Sequence, residues 1–213
     1  TSLSGLKYLC SLDNVQTHAD LIAGLPEYSL EVLRKDIIRL VEIGVDELQI
    51  ESLKVLPGTK MRKEAKDLEL KYSPLPPYEV LRTPAMSPDE LKGAMQLSRT
   101  IDLYYNSESW QKVFGKLVCS NSEFLNDFTS HLKEMMVLDS PISSERRGVI
   151  LYEYCKRHHP EHLSDVSIAW IQGGFSLKKE PAGEMVKIKN LSKFLEESSA
   201  QIVNLYGEAS PTH

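Results

Sequence analysis

The sequence predicts an α/β protein: a segment of a partial parallel βα barrel over residues 1–71, followed by a mostly α-helical domain over 72–213. Two observations lead there. In the first third, short apolar runs end at Gly and Pro turns and alternate with a helical pattern, over the brief connections that parallel βα units use. Further on, "YSPLPPYEVLRTPAMSP" gathers five of the chain's 11 prolines and breaks that rhythm, and helical spacing dominates beyond it.

Each element has a local reason. Leu3, Leu6, Leu9 and Cys10 recur near helical spacing and "SLDN" closes that helix. "THADLIAGLP" supplies a short apolar strand that stops at Gly24 and Pro26. Ser29 suits the cap of the next helix, with Leu30, Leu33, Ile37, Leu40 and Val41 on one face and Gly44 at its left-handed end. "VDELQIESLKVLPGT" is a second strand running into a Pro-Gly turn. The proline-rich stretch reads as an extended crossing segment and as the domain boundary. Ser87-Pro88-Asp89-Glu90 then has the capping-box pattern before a long helix through Tyr105. Further helices are expected near 109–119, 122–138, 144–158 and 165–171. Residues 173–189 read as loop or a short strand pair, and 191–205 as a last helix.

Composition narrows the function. The chain has 213 residues, 41% hydrophobic and 26% charged, with a formal net charge of -5, which fits a globular protein and argues against a nucleic-acid surface built on clustered Lys and Arg. No apolar run approaches the roughly 20 residues that span a bilayer, and "TSLSGLKYLC" lacks the plan of a leader peptide, so the cytoplasm is the expected location. Cys10, Cys119 and Cys155 are too few and too scattered for a disulfide framework, and none lies in a CxxC or CxxxCxxC cluster.

In a parallel βα barrel, ligands gather at the C-terminal ends of the strands. Strand alternation sends Ala19, Leu21 and Ala23 toward the helices and His18, Asp20, Ile22 and Gly24 inward; the second strand sends Leu48 and Ile50 outward and Gln49 and Glu51 inward. Four polar side chains, His18, Asp20, Gln49 and Glu51, thus line an interior that a structural barrel fills with apolar residues. They form either a binding site or a hydrogen-bonded network in a wet interior.

Asp20-Leu21-Ile22-Ala23-Gly24-Leu25-Pro26-Glu27 resembles the fifth-strand motif of radical S-adenosylmethionine enzymes, a GxIxGxxE pattern with Asp20 in place of its first glycine. "LQIESLKVLPGTKMRKEA" is similar to the sixth strand and following loop of those enzymes. "PPYEVLRT", "MSPDEL" and "DLYYNSESW", in that order, narrow the resemblance to cobalamin-binding members with a helical C-terminal domain. It runs from about Thr17 to Trp110. The resemblance implies that Asp20, Ile22, Gly24, Gln49 and Leu53 face S-adenosylmethionine, with Ile22 packing on adenine and Gly24 letting the backbone approach. It also implies a four-iron four-sulfur cluster and cobalamin in the full-length protein, with methyl transfer to an unactivated carbon as the reaction class. No CxxxCxxC loop is present to hold a cluster. Residues 1–71 are therefore expected to be the C-terminal fragment of such a barrel, inactive alone. Its partners would be the upstream barrel and cobalamin-binding regions of the same protein, and its open strand edge would permit self-association.

Other features have plainer readings. His158, His159 and His162 beside Glu161 read as a solvated helix end rather than a metal site. Tyr104, Tyr105 and Trp110 read as buried packing, and Arg146-Arg147 and Lys156-Arg157 as solvated charges. Two alternatives to the enzyme remain: a non-catalytic helical module that binds a partner or covers a barrel mouth, and a phosphate-binding βα protein, for which no GxxxxGK[ST] cradle exists.

Overall fold

The computed structural model describes residues 2–12 and 14–182. The chain divides into two compact units, residues 1–147 and 148–213. The proline-rich segment lies inside the first of these, and the expected final helix at 191–205 lies outside the described residues.

The first unit opens with α1 (Ser2–Leu9), β1 (His18–Ala23), α2 (Leu30–Ile43) and β2 (Glu47–Ser52). β1 and β2 pair in parallel, with His18 opposite Glu47 and Ala23 opposite Ser52. This is the expected βαβ unit, a short parallel pair that closes no barrel among the described residues. Ser29 caps α2 by accepting from the Val32 amide, and Gly44 ends it at φ 83 with its amide donating to the Leu40 and Val41 carbonyls. Leu33, Ile37 and Leu48 are fully buried. Asp46 and Thr17 hold the entrances of the two strands together. The Asp46 carboxylate accepts from the Thr17 amide at 2.7 Å and hydroxyl at 2.8 Å, and the Asp46 amide donates back to that hydroxyl at 3.1 Å.

After β2 the chain forms α3 (Lys60–Glu64) and an antiparallel pair, β3 (Lys71–Tyr72) with β4 (Val80–Arg82). The extended-segment reading did not anticipate that its strands pair. Arg62 organises the region: its guanidinium lies 4.5 Å from the Tyr72 ring centre and 5.4 Å from that of Tyr78, and donates to the Val55 carbonyl. Val80 donates to the Leu53 carbonyl at 2.9 Å and Val55 to that of Tyr78 at 2.8 Å, so the segment folds back over the end of β2.

α4 (Pro88–Tyr104) carries the full capping box, Ser87 with Glu90, and packs along β2. α5 (Gln111–Ser120) and α6 (Phe124–Glu134) complete the core, in which the Tyr104, Phe114, Phe124 and Phe128 rings meet with centres 5.0 to 6.1 Å apart. The second unit takes up most of α7 (Ser144–His158) and contains α8 (Leu163–Gln172), with Trp170 fully buried and its indole donating to Ser176. No helix among the described residues is long and apolar enough to cross a membrane.

One expectation about charge fails. Arg147 is half-buried, not a freely solvated cation: its guanidinium donates to the Leu103 carbonyl at 2.7 Å, and burial lowers its pKa. Lys156 does lie at the surface, where it pairs with Glu180.

Candidate functional site

Period-two alternation gives the β1–β2 pair two unlike faces. The helix-covered face buries Ala23, Leu48 and Ile50, while His18, Asp20 and Ile22 on β1 and Glu47 and Glu51 on β2 are exposed on the other. The predicted phase therefore holds: Ile22 is 41% exposed and Leu48 is 0% exposed.

The open face is a polar network with one apolar patch. His18 lies between two carboxylates, its Nε2 2.8 Å from Asp20 and its Nδ1 3.3 Å from Glu47. The hydrogen bond to Asp20 is the main cause that raises the His18 pKa above its usual value, with Glu47 adding to it. Gln49 donates to Glu47 at 3.3 Å, and Lys54 pairs with Glu51 at 3.0 Å. Glu47 escaped the sequence reading, although it shares the parity of Gln49 and Glu51 and the alternation alone would have found it. Chemically, this face offers an imidazole whose charged form is favoured by its carboxylate neighbours, two acceptor clusters and an isoleucine surface.

Of the five residues expected to face S-adenosylmethionine, three share that face: Asp20, Ile22 and Gln49. Gly24 and Leu53 lie elsewhere. Leu53 is only 7% exposed, with its amide on the Ala23 carbonyl and its own carbonyl taken by Val80. Gly24 has φ 91, and a β-carbon there would stand 2.5 Å from Val80 Cγ1 and 3.1 Å from Leu91 Cδ2. The glycine is thus required by protein packing as well as by backbone conformation.

The two edges of the pair also differ. Glu47 donates to the Thr17 carbonyl and Leu53 to that of Ala23, so by alternation the amide and carbonyl of Leu48 point away from β1. Asn106 meets them there, accepting from the Leu48 amide at 3.0 Å and donating to its carbonyl at 2.8 Å. Ser98 donates to the Ile50 carbonyl at 2.8 Å. The "YYNS" stretch is therefore a fastening: Tyr105 also donates to the Val45 carbonyl at 2.6 Å and Tyr104 to that of Arg147 at 3.2 Å. On the opposite side, β1 has no strand neighbour among the described residues.

The cysteines do not fit a cluster. Cys10 hydrogen-bonds Thr17, Cys119 is exposed on α5 with its pKa raised, and Cys155 is buried on α7 with its pKa pushed up to about 12. Raised thiol pKa values disfavour the thiolate that binds iron. Among the described residues, no group of three His, Cys, Asp or Glu is placed to hold a metal ion. His162 instead hydrogen-bonds Asp165 at 3.1 Å and His159 lies 3.6 Å from Glu161.

A family model described as a protein of unknown function, DUF4080, matches residues 66–172, half of the chain. The chain belongs to the DUF4080 family. The DUF4080 match begins at Lys66, after both parallel strands, and ends at the last residue of α8. It takes in Asn106 and Ser98, which close β2, and leaves out the open face itself. No curated protein matches this DUF4080 chain.

Proposed function

We propose that this chain is the C-terminal part of a radical S-adenosylmethionine iron–sulfur enzyme, with cobalamin-dependent methyl transfer as its reaction class and no activity by itself. The observation that carries the reading is the asymmetry of the strand pair. One edge of this parallel sheet is fastened by side chains of α4 and the turn after it, while the other edge and the polar face meet no strand among the described residues, where further strands would continue a barrel. The sequence resemblance over Thr17–Trp110 supplies the chemistry.

Within that reading, Ile22 offers the apolar surface for adenine, and Asp20 and Gln49 flank it. Gly24 and Leu53 act beneath it, holding the strand ends against Val80. S-adenosylmethionine, once bound beside an upstream cluster, would supply a 5′-deoxyadenosyl radical. The cysteines of this chain contribute nothing to that cluster, and the cytoplasm is the compartment the reading requires. The fold-back of residues 53–58 and 78–82 over the strand ends also favours a second reading, a non-catalytic helical module that covers a barrel mouth.

Anaerobic reconstitution with iron, sulfide and reductant separates the two. The 213-residue chain should yield no stable four-iron cluster and no 5′-deoxyadenosine, and a longer chain with an upstream CxxxCxxC loop should yield both. In that longer chain, Ile22→Ser should weaken S-adenosylmethionine binding about tenfold, the worth of one buried aliphatic contact. Turnover by the 213-residue chain alone would reject the fragment reading, and full affinity after the substitution would reject Ile22 as the adenine surface.

A further inference from the structure

A cleft of about 280 Å³ lies between α2, α4 and α6, away from the strand pair's open face. Its apolar wall is Leu30 and Leu97, and its polar lining includes Arg34 and Lys133 on one hand and Asp89 and Glu90 on the other. Arg34 Nε is buried with no hydrogen-bond partner. A buried guanidinium nitrogen left without an acceptor is costly, and nearly all such groups find one.

The carboxylates nearby leave this donor unserved. Glu90 is held by Ser87 in the capping box, and Glu31, on Arg34's own helix, pairs with Lys35. Asp89, Asn126 and Lys133 make no side-chain hydrogen bond or ion pair among the described residues. The cleft is therefore lined by a guanidinium with one buried, unmet donor, and by an ammonium and a carboxylate without a side-chain partner among the described residues. Two cations and two carboxylates make the lining neutral, so a phosphate would meet repulsion from Asp89 and Glu90 that a net-neutral ligand avoids.

We propose that this cleft binds a small zwitterion of free amino-acid size, its carboxylate on Arg34 and its ammonium on Asp89. The Arg34 guanidinium supplies the paired N–H geometry that planar carboxylates match. Leu30 and Leu97 take an aliphatic side chain, and the volume falls below the roughly 300–1,000 Å³ of drug-sized pockets.

The test is NMR titration of the 213-residue chain, following the Arg34 Nε–H resonance, with glycine, L-leucine and L-glutamine as probes and propionate, butylamine and inorganic phosphate as controls. A shift saturating below about 10 mM is expected for at least one amino acid, with propionate about tenfold weaker. Arg34→Gln should weaken binding about tenfold. Gly93→Leu gives a variant that keeps every charge. A β-carbon on Gly93 meets only Leu30 Cδ2, at 3.5 Å, so leucine fits the helix and fills the cleft, abolishing binding with the melting temperature maintained. No movement of Arg34 with any amino acid, unchanged binding in Gly93→Leu, or phosphate or propionate binding as tightly as the amino acids would overturn the proposal.

Discussion

The two edges of the parallel strand pair have opposite fates. β2 is sealed along its outer side by α4 and the turn after it, where the Asn106 amide satisfies both backbone groups of Leu48 and the Ser98 hydroxyl donates to the Ile50 carbonyl. β1 presents its outer side, with His18, Asp20 and Ile22, to no strand among the described residues. A polar side chain that imitates a strand neighbour terminates a sheet, because it meets the hydrogen-bond demand of the backbone and offers no ladder for another chain. An edge left without such a device marks where the sheet can continue.

The largest effect should come where both strands end. Gly24→Ala places a methyl 2.5 Å from Val80 Cγ1 at a φ that alanine resists, so urea denaturation should show a loss of about 3 kcal/mol. Adding Val80→Ala removes the opposing methyl and should recover part of that loss, leaving the backbone cost. If Gly24→Ala unfolds at the wild-type midpoint, the glycine is there for a ligand alone and the packing account fails.

The sealed edge comes next. Asn106→Ala leaves the Leu48 amide and carbonyl unpaired beneath α4, which should cost about 2 kcal/mol, whereas Asp20→Ala on the open edge should change stability by less than about 0.5 kcal/mol. Hydrogen exchange sharpens the contrast. The Leu48 amide should be protected in the wild type and lose that protection in Asn106→Ala, and the amides of His18, Asp20 and Ile22 should exchange fast in both. Equal protection at the two edges in a monomeric sample would remove the asymmetry on which the truncated-sheet reading rests.

Periodicity and caps made much of this visible in advance. Ser29, Gly44 and the Ser87–Glu90 box act over a few residues, and the alternation of "HADLIA" and "ELQIES" states which face is covered, so these elements and the Ile22 phase could be read directly. Two things could not. Asn106 lies 58 residues from Leu48, and a polar residue at a helix end carries no local mark of the strand it will close. The resemblance sets Gly24 and Leu53 against a ligand, and strand parity places Gly24 with Ile22; only the return of Val80, from a segment whose prolines hid a short antiparallel pair, covers them. Arg34 illustrates the same limit, since its unmet donor depends on three helices meeting.

The strand entrances give a smaller, pH-dependent effect. Hydrogen bonds from the Thr17 amide and then the Thr17 hydroxyl hold the Asp46 carboxyl below its usual pKa of 3.8. A carboxyl with a depressed folded pKa contributes stability that is fully present above its unfolded value and is lost as pH falls through its folded value. Asp46 is largely exposed, so Asp46→Asn should cost only about 1 kcal/mol at neutral pH. The gap between wild type and variant should close as denaturation is repeated below pH 3.8. A gap independent of pH would assign the clasp to geometry rather than charge.

The smallest effect tests the open edge by its charge. Asp20 and Glu47 flank His18 and raise its pKa above the usual 6.5, so the imidazolium should persist to higher pH than a free histidine. A raised folded pKa stabilises the native state below the unfolded value, and that contribution disappears as pH rises through the folded one. Because the ring is exposed, the measurement is a titration rather than a melt: two-dimensional NMR of the His18 ring should give a midpoint above 6.5, with a larger drop in Asp20→Asn than in Glu47→Gln. Salt should lower the midpoint, since exposed charges are screened over roughly 10 Å at 0.1 M. A strand added beside β1, whether from an upstream region or a second copy, would bring backbone groups and burial against this ring. Titration in a longer chain should therefore move His18 while leaving the Asp46 clasp unchanged. If the His18 midpoint is the same in both chains, whatever precedes β1 does not reach this edge.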